Sequence, residues 1–156
     1  MNHTRSTLLK GSLAAGAVGT AVSAGLLTPK AVMAAWAKDA FEAKEVGAAM
    51  TGSMGSADAT ASDKIQLKAP DIAENGAVVP ITVTSNIDGT TSMSILVANN
   101  NTPLTSTYEL GPNTEAYIST RVKMGKTSDV IAVVKAGGKL YSAKKEVKVT
   151  IGGCGG

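Results

Sequence analysis

From Lys64 to Ile151 the sequence alternates apolar and polar residues with a period of two, in short runs separated by turn residues. Ile65 and Leu67 alternate with Lys64, Gln66 and Lys68; Val79, Ile81 and Val83 with Pro80, Thr82 and Thr84; Met93, Ile95 and Val97 with Ser92, Ser94 and Leu96. Ala116, Ile118, Thr120 and Val122 alternate with Tyr117, Ser119, Arg121 and Lys123. Successive side chains of a β-strand point to opposite faces, so each run reads as a strand with one face toward a core. Val130 to Lys135 is a nearly continuous apolar run, and Leu140 to Ile151 closes the series. Ala69-Pro70-Asp71, Asn75-Gly76, Asp88-Gly89, Gly111-Pro112-Asn113 and Gly137-Gly138 supply the turns. Gly137-Gly138 has the length and composition of a two-residue hairpin turn. Pro80 cannot donate a ladder hydrogen bond, which places its run at an edge or a bulge. Six or seven short strands in about 90 residues predict an all-β, immunoglobulin-like antiparallel β-sandwich over residues 64–151.

The segment before the sandwich, residues 35–63, has a different period. Trp36, Ala40, Ala43, Gly47 and Met50 recur at helical spacing, which predicts one short N-terminal helix. Thr51 to Asp63 is rich in Gly, Ser, Ala and Asp and reads as a linker. Residues 1–34 read as a cleaved export signal. Arg5 and Lys10 form a basic start, Gly11 to Leu27 is weakly apolar, and small residues surround Val32-Met33-Ala34. The apolar run contains four glycines together with Ser and Thr, too short and too polar for a membrane anchor. Thr4-Arg5-Ser6-Thr7-Leu8-Leu9-Lys10 is similar to a twin-arginine export pattern with Ser6 in place of the second arginine. A periplasmic location without stable membrane association is the expectation.

Charge and residue type narrow the chemistry. The formal charge of +3 is carried by Arg5, Lys10 and Lys30. From residue 35 onward 12 basic and 12 acidic side chains balance, which argues against nucleic acid as a partner. The acids are concentrated in residues 35–88. The bases are concentrated in residues 89–156, where Lys139, Lys144, Lys145 and Lys148 lead to the end of the sequence. The only histidine is His3, within the predicted signal, so a Ser-His-Asp or Cys-His nucleophile cannot be assembled from the mature chain. Transition-metal sites built on His and Cys lack ligands. Asp39, Glu42 and Glu45 read as a solvated helix face. No cofactor or metal, and no catalysis by this chain alone, is expected.

The single cysteine, Cys154, stands between Gly152-Gly153 and Gly155-Gly156. Four glycines in the last five positions cannot pack a core, so residues 152–156 are expected to form a flexible arm. Swinging from an anchored strand, such an arm carries the thiol over roughly 13 Å. An exported protein with one cysteine cannot close an internal disulfide, so the thiol must bond another molecule or remain reactive.

These residues resemble a known family. The twin-arginine-like start, Trp36-Ala37-Lys38-Asp39-Ala40-Phe41, the run Ile72 to Pro80, and above all the terminal Gly-Gly-Cys-Gly-Gly are similar to the SoxY family, covalent carrier subunits of a periplasmic sulfur-oxidation system. The resemblance implies an immunoglobulin-like sandwich and a heterodimer with the smaller subunit SoxZ. It implies that Cys154 is the attachment point and that Gly152, Gly153, Gly155 and Gly156 form the carrier arm. It further implies that the haem enzyme SoxAX joins thiosulfate to the cysteine, that the dimanganese hydrolase SoxB releases sulfate, and that SoxCD, where present, oxidises the remaining sulfur. Two other readings stay open on residues alone. One is a ubiquitin-like sulfur carrier that uses a terminal Gly-Gly thiocarboxylate. The other is a structural sandwich domain tethered through an intermolecular disulfide.

Overall fold

The structure, a computed structural model, describes residues 37–150. The predicted signal, Trp36 and the whole of residues 151–156 lie outside the described residues. Two helices, α1 (Lys38–Glu42) and α2 (Val46–Met54), precede the strands β1 (Thr60–Ala61), β2 (Ile65–Lys68), β3 (Ile72–Ala73), β4 (Val79–Ser85), β5 (Thr90–Val97), β6 (Leu104–Glu109), β7 (Tyr117–Val122), β8 (Ser128–Ala136) and β9 (Lys139–Val149). The larger sheet runs β1-β9-β8-β5-β6, with β3 added to β9; the smaller runs β2-β4-β7. Their inner faces enclose Ile81, Val83, Met93, Ile95, Val97, Val130, Ala132 and Val134, all buried. This is the all-β sandwich that the alternating runs predict.

The nearly continuous apolar run of β8 has a simple cause. Val130, Ala132 and Val134 face the smaller sheet, while Val133 faces the other way, into a second cluster with Ala40, Ala49, Met50, Met54 and Leu96. The helices thus cover the outer face of the larger sheet, and its central strands are buried on both sides. Each Val, Leu or Met among them fully removed from water contributes about 1.5–3 kcal/mol. The same covering explains why Ser92 and Ser94 are buried on β5. The Ser92 hydroxyl meets Met54 Sδ at 3.3 Å, and Ser94 donates to Thr107 Oγ1 at 2.8 Å.

The helical segment is longer than the spacing predicts and is broken. Helicity ends at Glu42, resumes at Val46, and continues to Met54, into the stretch that reads as a linker. Gly55 caps α2 with φ 89° and donates its N–H to Thr51 O, a glycine-dependent stop. The break at Ala43 lets two short helices lie on a twisted sheet. Among the described residues no helix is long and apolar enough to cross a membrane.

Pro80 lies in β4, the central strand of the smaller sheet, where an edge or a bulge is the expectation. The register explains its presence. Ser85 donates to Ala116 on the β7 side, and Asn86 donates to Lys64 on the β2 side. Alternate residues point the same way, so position 80 faces the β2 side. There β2 pairs only as far as Lys68, opposite Thr82. The proline sits where its neighbour has already ended. Gly137 and Gly138 join β8 to β9 with φ of 57° and 75°, the two positive values that a type I′ hairpin requires.

Candidate functional site: the exit of the last strand

The predicted attachment residue Cys154 and the arm glycines Gly152, Gly153, Gly155 and Gly156 lie outside the described residues. The structure does show what holds the chain just before them. β9 is the longest strand, with 11 residues, and β8 pairs with it from Ala136–Lys139 to Ser128–Val147. Its other edge is met twice by short parallel strands. β1 pairs Thr60 with Tyr141, and β3 pairs Ile72 with Lys148 and Ala73 with Val149.

The last described residues are therefore fastened on both edges. Lys148 N–H donates to Asp71 O at 3.0 Å, and Thr150 N–H donates to Ala73 O at 3.2 Å. On the opposite side Val149 N–H donates to Thr127 Oγ1 at 3.0 Å. Three successive backbone donors thus have partners drawn from two different segments.

A strap formed by residues 69–76 makes this fastening. Lys145 Nζ donates to Ala69 O at 2.6 Å and lies 2.9 Å from Asp71 Oδ1. Its hydrogen bond and positive charge hold the Asp71 carboxyl below the usual carboxylate range. The strap then turns at Asn75, whose Oδ1 accepts from Ala77 N–H at 2.9 Å. Gly76 follows, and its carbonyl accepts from Met124 N–H at 2.7 Å. A Cβ at Gly76 would run into the Met124 carbonyl and lie 2.9 Å from Val149 Cγ1. Only a residue without a side chain fits between β9 and the loop before β8.

The electropositive approach suggested by Lys139, Lys144, Lys145 and Lys148 is only partly present. Lys144 lies 3.9 Å from Asp129, and Lys145 is taken up by the strap. Two exposed apolar side chains stand beside the exit instead: Ile72, 57% exposed, opposite Lys148, and Val78, 51% exposed, just after the turn. Asp39, Glu42 and Glu45 gather no metal-binding group, and none occurs among the described residues. Sequence reasoning missed the strap residues Asp71 and Ala73, and it missed Thr127. Asn75-Gly76 is legible as a turn, but nothing local shows that the turn packs against a strand far along the chain.

A two-sheet β-sandwich whose final strand is clamped on both edges at its exit is a scaffold that fixes the point from which the chain beyond Thr150 departs. The family model of the sulfur oxidation protein SoxY matches residues 50–154, and this chain belongs to the SoxY family. Among solved structures, the sulfur carrier protein SoxY from Chlorobium limicola f thiosulfatophilum is 46% identical. The match covers 66% of this chain and 94% of that one, with a TM-score of 0.61. A superoxide reductase (neelaredoxin) variant from Ignicoccus hospitalis matches at 15% identity, covering 69% of this chain and 90% of that one, with a TM-score of 0.50. That likeness concerns the fold alone. No curated protein sequence matches.

Proposed function

We propose that this chain is an exported, non-catalytic sulfur carrier that holds thiosulfate-derived intermediates on Cys154 and presents them to partner enzymes as a complex with SoxZ. The observation that carries the reading is the double-sided clamp at Lys148, Val149 and Thr150. A carrier needs a fixed pivot and a slender segment beyond it, and the sequence beyond Thr150 contains one cysteine among glycines. Membership of the SoxY family and the likeness to a sulfur carrier protein point the same way.

The chemistry follows from sulfur. The Cys154 thiol and thiosulfate combine to a cysteine S-thiosulfonate, forming one S–S bond and releasing one proton and two electrons. The electrons pass to a haem enzyme of the SoxAX type. Water then attacks the terminal sulfonate sulfur in a SoxB-type hydrolase, releasing sulfate and two protons and leaving a persulfide anion on Cys154. A SoxCD-type enzyme, where present, oxidises that persulfide. Bonds between sulfurs form and break by attack at sulfur, so a thiol carries the substrate reversibly without letting intermediates diffuse away. The described residues around the exit supply no His. Activation of the thiol therefore falls to the partner enzymes.

The test is Cys154→Ser in a reconstituted thiosulfate-oxidising system. The variant melts like wild type and supports no turnover; turnover at the wild-type rate would remove the carrier role. Intact mass of the native protein separates the two remaining readings. A sulfur adduct on Cys154 supports the carrier, whereas a terminal thiocarboxylate or a disulfide dimer as the only form contradicts it.

A further inference from the structure

Asn75 is the only asparagine that a glycine follows in the sequence. Such a pair has a chemistry of its own. The main-chain nitrogen of the second residue can attack the side-chain carbonyl of the first, and a bulky second side chain obstructs the attack. Glycine has no Cβ to do so. Asn86, Asn101 and Asn113 precede the β-branched Ile87, Thr102 and Thr114, and Asn99 and Asn100 donate from their carboxamides to Thr127 O and Lys123 O.

The surroundings of Asn75 favour the reaction. The residue is exposed, so water and hydroxide reach it. Its Oδ1 accepts from Ala77 N–H at 2.9 Å. That donor stands where negative charge develops when the side-chain carbonyl is attacked, and a donor already in place stabilises such charge without reorganisation. Neither Asn75 Nδ2, the leaving group, nor Gly76 N–H, the nucleophile, donates a hydrogen bond to a described residue.

We infer that Asn75 is a site of spontaneous deamidation, and that its conversion loosens the end of β9. Hydroxide removes the Gly76 amide proton. The nitrogen attacks Asn75 Cγ, the new C–N bond closes a cyclic succinimide, and Nδ2 leaves as ammonia with a proton taken from water. Water then opens the ring. Attack at the side-chain carbonyl carbon gives aspartate, and attack at the main-chain carbonyl carbon gives isoaspartate. Nothing is oxidised or reduced; water is consumed and ammonia released. Isoaspartate routes the main chain through the former side-chain carbons and adds a methylene, about 1.5 Å of extra contour. Gly76 has no room to absorb it. Its carbonyl accepts from Met124 N–H at 2.7 Å, and even a Cβ on it would strike Met124 O and Val149 Cγ1. The added length displaces the strap, and the bonds from Lys148 N–H to Asp71 O and from Thr150 N–H to Ala73 O weaken. β5, between β8 and β6 in the larger sheet, keeps its protection.

The test ages the full-length folded protein, with a reductant present, in buffer made with heavy-oxygen water, at neutral pH and in mild alkali. Fragment-ion mass spectrometry, isoaspartate detection and amide exchange are read on the same samples. Heavy oxygen is expected at residue 75 ahead of the other described asparagines, with isoaspartate among the products and a rate that rises with hydroxide. Exchange at Lys148 and Thr150 rises severalfold in step with conversion, and exchange in β5 does not. Asn75→Gln, whose longer side chain closes a ring far more slowly, takes up no label at residue 75 and shows no drift in exchange on ageing, whatever its starting value. Label at the other asparagines with none at residue 75 overturns the site. Conversion at residue 75 with unchanged exchange at Lys148 and Thr150 overturns its hold on the end of β9. No turnover and no reaction of Cys154 enters the measurement, so the inference stands or falls apart from the carrier reading.

Discussion

Gly76 and Val149 approach so closely that a Cβ on the first would lie 2.9 Å from Cγ1 of the second, with the Met124 carbonyl blocking the same space. A turn near the start of the sandwich thus seals the end of its last strand. Gly76→Ala forces a methyl group into that contact, and overpacking of this kind costs about 1–3 kcal/mol. Thermal melts should show the loss. Amide exchange at Thr150 should rise more than exchange in β5, because the strap is displaced before the core. A variant with wild-type stability and exchange would show that the strap does not hold the strand end.

Lys145→Met keeps the aliphatic stem but removes the bonds to Ala69 O and Asp71. Exposed ion pairs contribute little to global stability, so the melting temperature should change only slightly. Exchange at Lys148 and Thr150 should rise severalfold. The effect depends on pH in a stated direction. The Asp71 carboxyl is held below its ordinary value by Lys145, so its contribution is present above the unfolded pKa and is lost as pH falls through the depressed one. The difference between wild type and variant should therefore be largest at pH 7 and shrink as pH falls below the ordinary aspartate range, leaving the part that comes from the bond to Ala69 O. An exchange difference that persists undiminished in acid would place the effect elsewhere.

Substitutions in the terminal glycines separate presentation from attachment. Gly153→Val and Gly155→Val add a β-branched, stiff side chain beside the thiol and close off positive φ. Both variants should melt like wild type and react normally with a small thiol reagent. Enzymatic loading and release should fall on the order of a hundredfold, the scale of misplacing a reacting group. Wild-type turnover in both would refute threading of the arm into a narrow cleft while leaving Cys154 as the attachment point.

Val133 and Val134 are neighbours on β8 that face opposite clusters, the helices and the smaller sheet respectively. Truncating either to alanine should cost about 2–3 kcal/mol, from the lost transfer energy and the cavity left behind. Denaturant titrations of the two single variants check this. A near-neutral Val133→Ala would mean that the helices do not shield that face in solution.

The strands were legible because a half-buried strand writes its burial into every second residue; Val79, Ile81 and Val83 are all in the core. The helical cover was harder to read, since Ala40, Ala49 and Met50 carry only a weak apolar stripe, and the break at Ala43 has no proline or glycine to announce it. Pro80 looked like an edge residue and is one only locally, a fact fixed by where β2 stops rather than by its own neighbours. The cysteine and its glycines are distinctive in the sequence, but they lie outside the described residues. The turns of the strap were legible, but its packing against β9 was not. Its partners, Asp71 with Lys148 and Gly76 with Val149, are remote in sequence, and short parallel pairings leave no periodic trace.

The β3–β9 pairing also has a kinetic meaning. It joins the first part of the sandwich to its last strand, a contact of long sequence separation, and such contacts bear the full entropy of closing the intervening loop. Folding of the intervening strands shortens the loop that the pairing of β3 with the end of β9 must close, and so lowers its cost. The exit of β9 is consequently held best in a chain that has finished folding. A truncated or half-folded molecule would still own the cysteine but would have no defined pivot from which to offer it. The strap thus ties a fixed end of β9 to completion of the fold and, on the carrier reading, ties presentation of the thiol to it as well.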